Sequence, residues 1–152
     1  MNQTGKSETG KSDMNLVNMN DRSDMNFTQL YKSVLDQDRA PVVLCGLDHT
    51  VLYMNSAAIA RYARAGGAGL LGKSLMDCHG AYGSEMIERV VAWFAQSADN
   101  NIIYESRNDD ENKDVYMVAL RDEDGALIGY YEKHEYRARE TATCYDFEGG
   151  SL

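Results

Sequence analysis

The sequence predicts an α+β domain, a five-stranded antiparallel sheet with helices on one face and a further helix flanking its N-terminal side. Three observations predict it. Five short runs are rich in β-branched and aromatic residues and are separated by turn signals. These runs fall as a pair and a trio whose members are joined by tight polar connections, which makes consecutive strands antiparallel. Between the pair and the trio, residues 55–100 show helical spacing and no strand alternation.

Composition narrows the function before any motif is read. The chain has 152 residues, enough for one ordinary domain. Its 43% hydrophobic and 26% charged content is that of a globular protein. Fifteen basic against 24 acidic residues leave a net charge of −9, which repels a phosphate backbone and argues against direct nucleic-acid binding. No apolar run reaches the ~18 residues of a membrane span, and no signal-peptide core is present. Three widely spaced cysteines suit a reducing compartment, so a cytoplasmic location is expected.

Residues 1–23 are polar and rich in Asn, Ser and Gly, and a mobile tail is expected there. Within them, Gly5 to Ser12 matches the phosphate-loop pattern G-x-x-x-x-G-K-S. That pattern works only between a buried strand and a helix N-terminus. Neither neighbour is present here: four polar residues precede the match and Asp13-Met14-Asn15 follows, so it is read as coincidence.

The flanking helix is expected within residues 24–39. Phe27, Leu30, Tyr31, Val34 and Leu35 recur at three- and four-residue steps, with Asp24 or Asn26 as cap and Pro41 as stop. Residues 42–47 and 51–54 form a hairpin around Asp48-His49-Thr50. Asn55 then caps a helix over 56–65, ended by the glycines at 66, 67 and 69. A longer helix over 84–97 buries Met86, Ile87, Val90, Val91 and Phe94. Strands at 101–107, 115–120 and 126–136 complete the sheet, the last two joined by the Asp124-Gly125 turn. Between residues 108 and 124 there are seven acids and two bases, so much of the acidity sits on two loop tips rather than in a cleft.

Three stretches resemble one family. Residues 47–58 resemble the opening hairpin of PAS domains, with its turn Asp48 and helix-capping Asn55. Residues 70–74 resemble the segment before the long connector helix. Residues 121–129 resemble the closing hairpin. The resemblance covers residues 40–136 and leaves 137–152 as a C-terminal tail. It implies a sensory, non-enzymatic module that binds a small ligand or cofactor between sheet and helices and signals as a homodimer. With only residues 137–152 after it, the output is expected to act through a separate protein. The flanking helix either serves that dimer or covers the open sheet face. A ligand-free interaction scaffold is the competing class.

Candidate site residues are few. Cys78 and His79 precede the long helix, near where haem-binding members of the family carry an axial histidine. A neutral imidazole can ligate iron and a thiol can act as a redox switch, while the plainer reading is a helix cap. Haem held by His79 is therefore an expected alternative, with His79 the candidate metal ligand. A Cys–His catalytic pair is not expected, because adjacent side chains in extended chain point apart. Nor does Asp77-Cys78-His79-Gly80 match the flavin-photosensor run. His49 and His134 are read as surface residues. Ten tyrosines are many for this length, and Tyr104, Tyr116, Tyr130 and Tyr136 fall on strands. The first three are candidates to line a pocket and donate hydrogen bonds, although tyrosine also suits sheet packing.

Overall fold

A computed structural model describes residues 26–145 and 147. The expected tail at 1–23 and its phosphate-loop match lie outside the described residues, as do 146 and 148–152 at the other end. Helix α1 (Phe27–Asp36) leads into strands β1 (Val42–Cys45) and β2 (Val51–Met54). Helix α2 (Ser56–Arg61), three 3-10 turns (Ala63–Ala65, Gly67–Leu70 and Leu75–Cys78) and helix α3 (Ala81–Gln96) follow. Strands β3 (Ile102–Asn108), β4 (Lys113–Arg121) and β5 (Leu127–Tyr136) close the chain. The sheet is antiparallel throughout, in the order β2-β1-β5-β4-β3. The first and last strands therefore meet at its centre.

Turn chemistry sets the two hairpins. In the first, Asp48 Oδ1 accepts from the Thr50 amide at 3.0 Å and Oδ2 from its hydroxyl at 2.9 Å. His49 takes a positive φ of 64°. In the β4–β5 hairpin Gly125 sits at φ 80°, where only glycine is unstrained, and Asp122 Oδ1 accepts from the amides of Asp124 and Ala126. The outer edge of β2 is covered by residues 72–75, whose backbone bonds to His49 and Val51.

Register then decides which face each residue serves. Val43 and Cys45 pair with β2 and β5 so that Val43, Cys45, Val51, Met54, Met117 and Tyr130 point inward. Against them pack Ala58, Ile87 and Phe94, the last fully buried. Gly129 allows β1 and β5 to approach, since a Cβ there would lie 2.6 Å from the Cys45 carbonyl oxygen. The far end of α3 is held by Arg121, whose guanidinium donates to the carbonyls of Phe94, Ser97 and Asn100 at 2.8–3.1 Å. A cation at that helix end also suits its dipole.

Asn55 joins the parts. It is fully buried. Its Oδ1 accepts from the Ala58 amide at 2.8 Å, the expected cap, and also from the Val42 amide at 3.0 Å. Its Nδ2 donates toward the carbonyls of Leu35, Asp38 and Ala40 at 2.9–3.2 Å. One side chain thus ties the exit of α1 and the start of β1 to the start of α2.

Helix α1 itself buries no residue. Leu30, Tyr31 and Val34 are 46%, 53% and 66% exposed, so its apolar stripe does not cover the sheet within the subunit. Its tethers are at its C-terminal end, where Tyr53 donates to Asp36 and Asn55 reaches Leu35. No described helix is long and apolar enough to cross a membrane.

Asn55→Ala strands buried amides and carbonyls without partners. It is expected to cost about 3 kcal/mol or more in urea denaturation. Asn55→Asp keeps both accepting contacts but sets a carboxylate against three carbonyls, and is expected to be no better tolerated than alanine. Near-neutral behaviour of either variant would remove Asn55 from its central place.

Candidate ligand-binding site

Between the inner sheet face and the helical segment lies a cavity of about 470 Å³. That is within the range of small-molecule sites. Val43, Val51, Met54, Leu75, Ile87 and Met117 give it largely apolar walls. A second, more open chamber of about 550 Å³ adjoins it, and the two share Tyr62, Glu105, Ser106 and Glu132 in their walls. The site is therefore apolar at one end and polar at the other.

The polar end follows from strand alternation. On β5 the period of two that turns Tyr130 inward also turns Glu132 and His134 inward. Tyr62, at the end of α2, donates its hydroxyl to Glu132 Oε1 at 2.6 Å, and His134 Nε2 meets the same oxygen at 2.5 Å. Burial alone would push the Glu132 carboxyl up, but the hydrogen bonds from His134 and Tyr62, together with the electrostatic pull of His134 and His79, hold the group below its ordinary value. Burial and the Glu132 charge push the Tyr62 hydroxyl up. Glu105 reaches the same end from the irregular stretch of β3 between Tyr104 and Ser106. It is solvent-accessible at the rim, yet desolvation, and then the Glu132 charge, raise its carboxyl.

The candidate residues named from the sequence separate into two groups. Cys78, His79 and Tyr130 border the cavity. Cys78 is exposed at the rim. His79 is exposed as well, with Nδ1 on the Leu75 carbonyl at 2.9 Å and its ring resting against Gly83 of α3. Tyr130 is buried and its hydroxyl bonds His49 Nδ1 at 2.9 Å. Tyr104 and Tyr116 are direct cross-strand partners whose rings pack together at 5.5 Å. Because Val115 and Met117 point inward, this pair lies on the outer face, where Tyr104 donates to Asp114. Tyr104 touches the cavity border, whereas Tyr116 does not line it.

His134 corrects an expectation. Its neighbours Glu132, Lys133 and Glu135 suggest a surface residue, but it is 6% exposed. Charged sequence neighbours conceal an inward position that counting by two from Tyr130 would find. His49 is likewise half-buried rather than a surface residue. Sequence reasoning also passes over Tyr62, Glu105 and Glu132, the groups that make the polar end. Cys45 lies in the wall with its thiol pushed up by burial to about 11, which leaves it a packing residue. Among the described residues no cluster of three His, Cys, Asp or Glu is arranged to hold a metal ion.

No protein-family model matches the chain, and no curated protein matches it. Solved structures do. A PAS domain from Colwellia psychrerythraea is 11% identical with a TM-score of 0.53, covering 73% of this chain and 97% of its own. The PAS domain of BvgS from Bordetella pertussis is 15% identical with a TM-score of 0.56, covering 74% and 88%. A sensory box sensor histidine kinase from Vibrio cholerae is 14% identical with a TM-score of 0.50, covering 72% and 90%. The fold is PAS-like, as the three sequence stretches implied.

The two carboxylates carry opposite pH signatures. Glu132 is depressed in the folded state, so its contribution to stability is present above 4.5 and is lost as pH falls. Glu105 is raised, so its burial costs nothing below 4.5 and most once pH has risen through its folded value. In thermal unfolding, Glu132→Gln is expected to lower Tm near pH 7 and to converge on the parent only as pH falls well below 4.5, through the depressed folded value. Glu105→Gln is expected to raise Tm near pH 7, with that gain vanishing toward about pH 4. Parallel pH curves for both variants would contradict the two assignments.

Proposed function

We propose that this PAS-like domain is a non-enzymatic sensory module that holds a small molecule in its cavity and passes the change of occupancy on through a homodimer. The observation that carries the reading is the cavity itself, about 470 Å³ inside a domain this small and apolar except at one end. Close-packed interiors leave few voids of that size, so its retention favours an occupant over a side-chain-filled scaffold. The non-enzymatic part is supported by His79, which places Nδ1 on Leu75 rather than on the Cys78 thiol, so that thiol gains no base there.

The homodimer is supported by apolar surface that the subunit leaves unpaired. The exposed stripe of α1 is one part of it. The outer sheet face is the other, where Tyr104 and Ile102 are about half exposed and Tyr116, Val118 and Leu120 are half-buried. Exposed apolar patches of this kind mark interaction surfaces. A second copy offers the same surface in return, as a two-fold interface requires. The signalling partner beyond the dimer is read as a separate protein, and the acidic surface argues against nucleic acid.

One observation favours a sharper variant. With Nδ1 donating to the Leu75 carbonyl, Nε2 of His79 is left as the lone-pair nitrogen, the tautomer a metal-ligating imidazole uses. His79 is the residue that would hold haem iron at the rim, and the group would supply gas or redox sensitivity. Haemin titration with absorption spectra tests this: a Soret shift on binding that His79→Ala abolishes supports it, and a spectrum identical to free haemin overturns it.

The cavity reading is checked with the neutral dye N-phenyl-1-naphthylamine. Saturable fluorescence enhancement at one site per chain is expected, and Ala65→Trp at the cavity border is expected to weaken it about tenfold or more. Light scattering checks the dimer: Val34→Glu is expected to yield a monomer with an unchanged circular-dichroism spectrum. A monomeric parent would remove the dimer from the proposal.

A further inference from the structure

Building on the reading that the cavity takes a small molecule, we propose that it selects an apolar molecule carrying a protonated amine, with the ammonium seated between Glu105 and Glu132. Two carboxylates with open acceptor positions share the polar end of the cavity wall. Tyr62 and His134 both use Oε1 of Glu132, and no hydrogen bond among the described residues reaches Oε2. None reaches the Glu105 carboxylate either, although it lies in the same wall. Beside them, in the wall of the adjoining chamber, His134 Nδ1 is buried and without a partner among the described residues. A head group rich in N–H donors fills the open carboxylate positions.

Charge points the same way. Among the described residues the cavity wall contains no lysine or arginine, so an anionic ligand would meet no counter-ion there. Arg61, Lys113 and Arg107 line the adjoining chamber, the first two already engaged by Glu111 and the third by Asp109. Glu132 is held ionised by its two hydrogen bonds, and its charge is one cause of the raised Glu105 carboxyl, with His79 and His134 pulling the other way. An arriving ammonium offsets the repulsion between the two carboxylates. Most of the remaining wall is hydrocarbon, thioether and aromatic surface, with Ser74, Cys78 and His79 at its border, which suits an alkyl or aryl body.

Calorimetry on the full chain with 4-phenylbutylamine, 4-phenylbutan-1-ol and 4-phenylbutanoate tests the head group at constant body. The amine is expected to bind about tenfold or more tighter than the alcohol, and the carboxylate weakest of the three. Glu105→Gln, a change at the solvent-accessible rim, is expected to cut the amine's advantage over the alcohol to about threefold or less while leaving the alcohol unchanged. Glu132→Gln is expected to do the same. Equal binding of amine and alcohol to the parent protein, or tightest binding of the carboxylate, overturns the amine inference and leaves the ligand-binding reading standing. Failure of all three probes to bind overturns both.

Discussion

A fully buried asparagine, its one amide shared among five backbone groups, is the constraint on which this fold turns. Asn55 must sit where β2 ends and α2 begins, because its Oδ1 supplies the cap that a helix start lacks. The same oxygen also accepts from Val42, so the first residue of β1 is fixed relative to the first turn of α2. Two Nδ2 protons are then shared by three carbonyls at the end of α1 and along the connection to β1. No apolar residue could do this, since the buried amides of Val42 and Ala58 would be left without partners. Nor could aspartate, which has no donor to offer. The sheet order follows: with β1 anchored, both its edges are taken by β2 and β5, and the remaining strands extend from β5.

The site is the place where the sheet stops obeying the rule that the inner face is apolar. Along β5 the inward series runs Tyr130, Glu132, His134, so polarity rises toward the end of the strand. Glu132 remains charged because Tyr62 and His134 reach it from two different elements. The neighbouring buried Lys113 is paired with Glu111, which Arg61 also grips from α2. These two bonds hold the Glu111 carboxyl down at about 2, so it stays ionised over the whole neutral range. Of the three only Lys113 is buried, and losing its partner would leave its charge uncompensated. The pairs tie α2 to the turn between β3 and β4 and to the start of β4.

The fold is legible in the sequence because its rules are local. The Asn55 cap, the Asp48 and Gly125 turns and the apolar spacing of Ile87 and Phe94 each depend on a few adjacent residues, and all are found where the pattern puts them. Spacing alone starts α3 three residues late, at 84, because Gly80 and Gly83 weaken the helical signal there. Half of the site is not legible. Cys78 and His79 draw notice as reactive types, yet they stand exposed at the rim. Glu105 shares the inner face with Ile103 by alternation along β3, but its charge and the short, exposed strand around it give no reason to count it inward. Tyr62 gains meaning only from Glu132, 70 residues away in the chain. Such pairings are products of topology, not of spacing.

Topology also connects the cavity to the surface. Val43 and Cys45 of β1 form part of the cavity wall, while Val42, one residue earlier, is bound by Asn55. Tyr53 of β2 lies between the wall residues Val51 and Met54 and holds Asp36 at the end of α1. Burial and that contact push the Tyr53 hydroxyl up to about 12, so it remains a donor throughout the neutral range. A displacement of β1 or β2 by an occupant must therefore either carry the end of α1 with it or break hydrogen bonds that weaken steeply with angle and distance. Because α1 buries no residue of its own, little else resists its movement. In the proposed sensing role, the helix responds as a lever hinged at residues 35–40, and Asn55 is the pin.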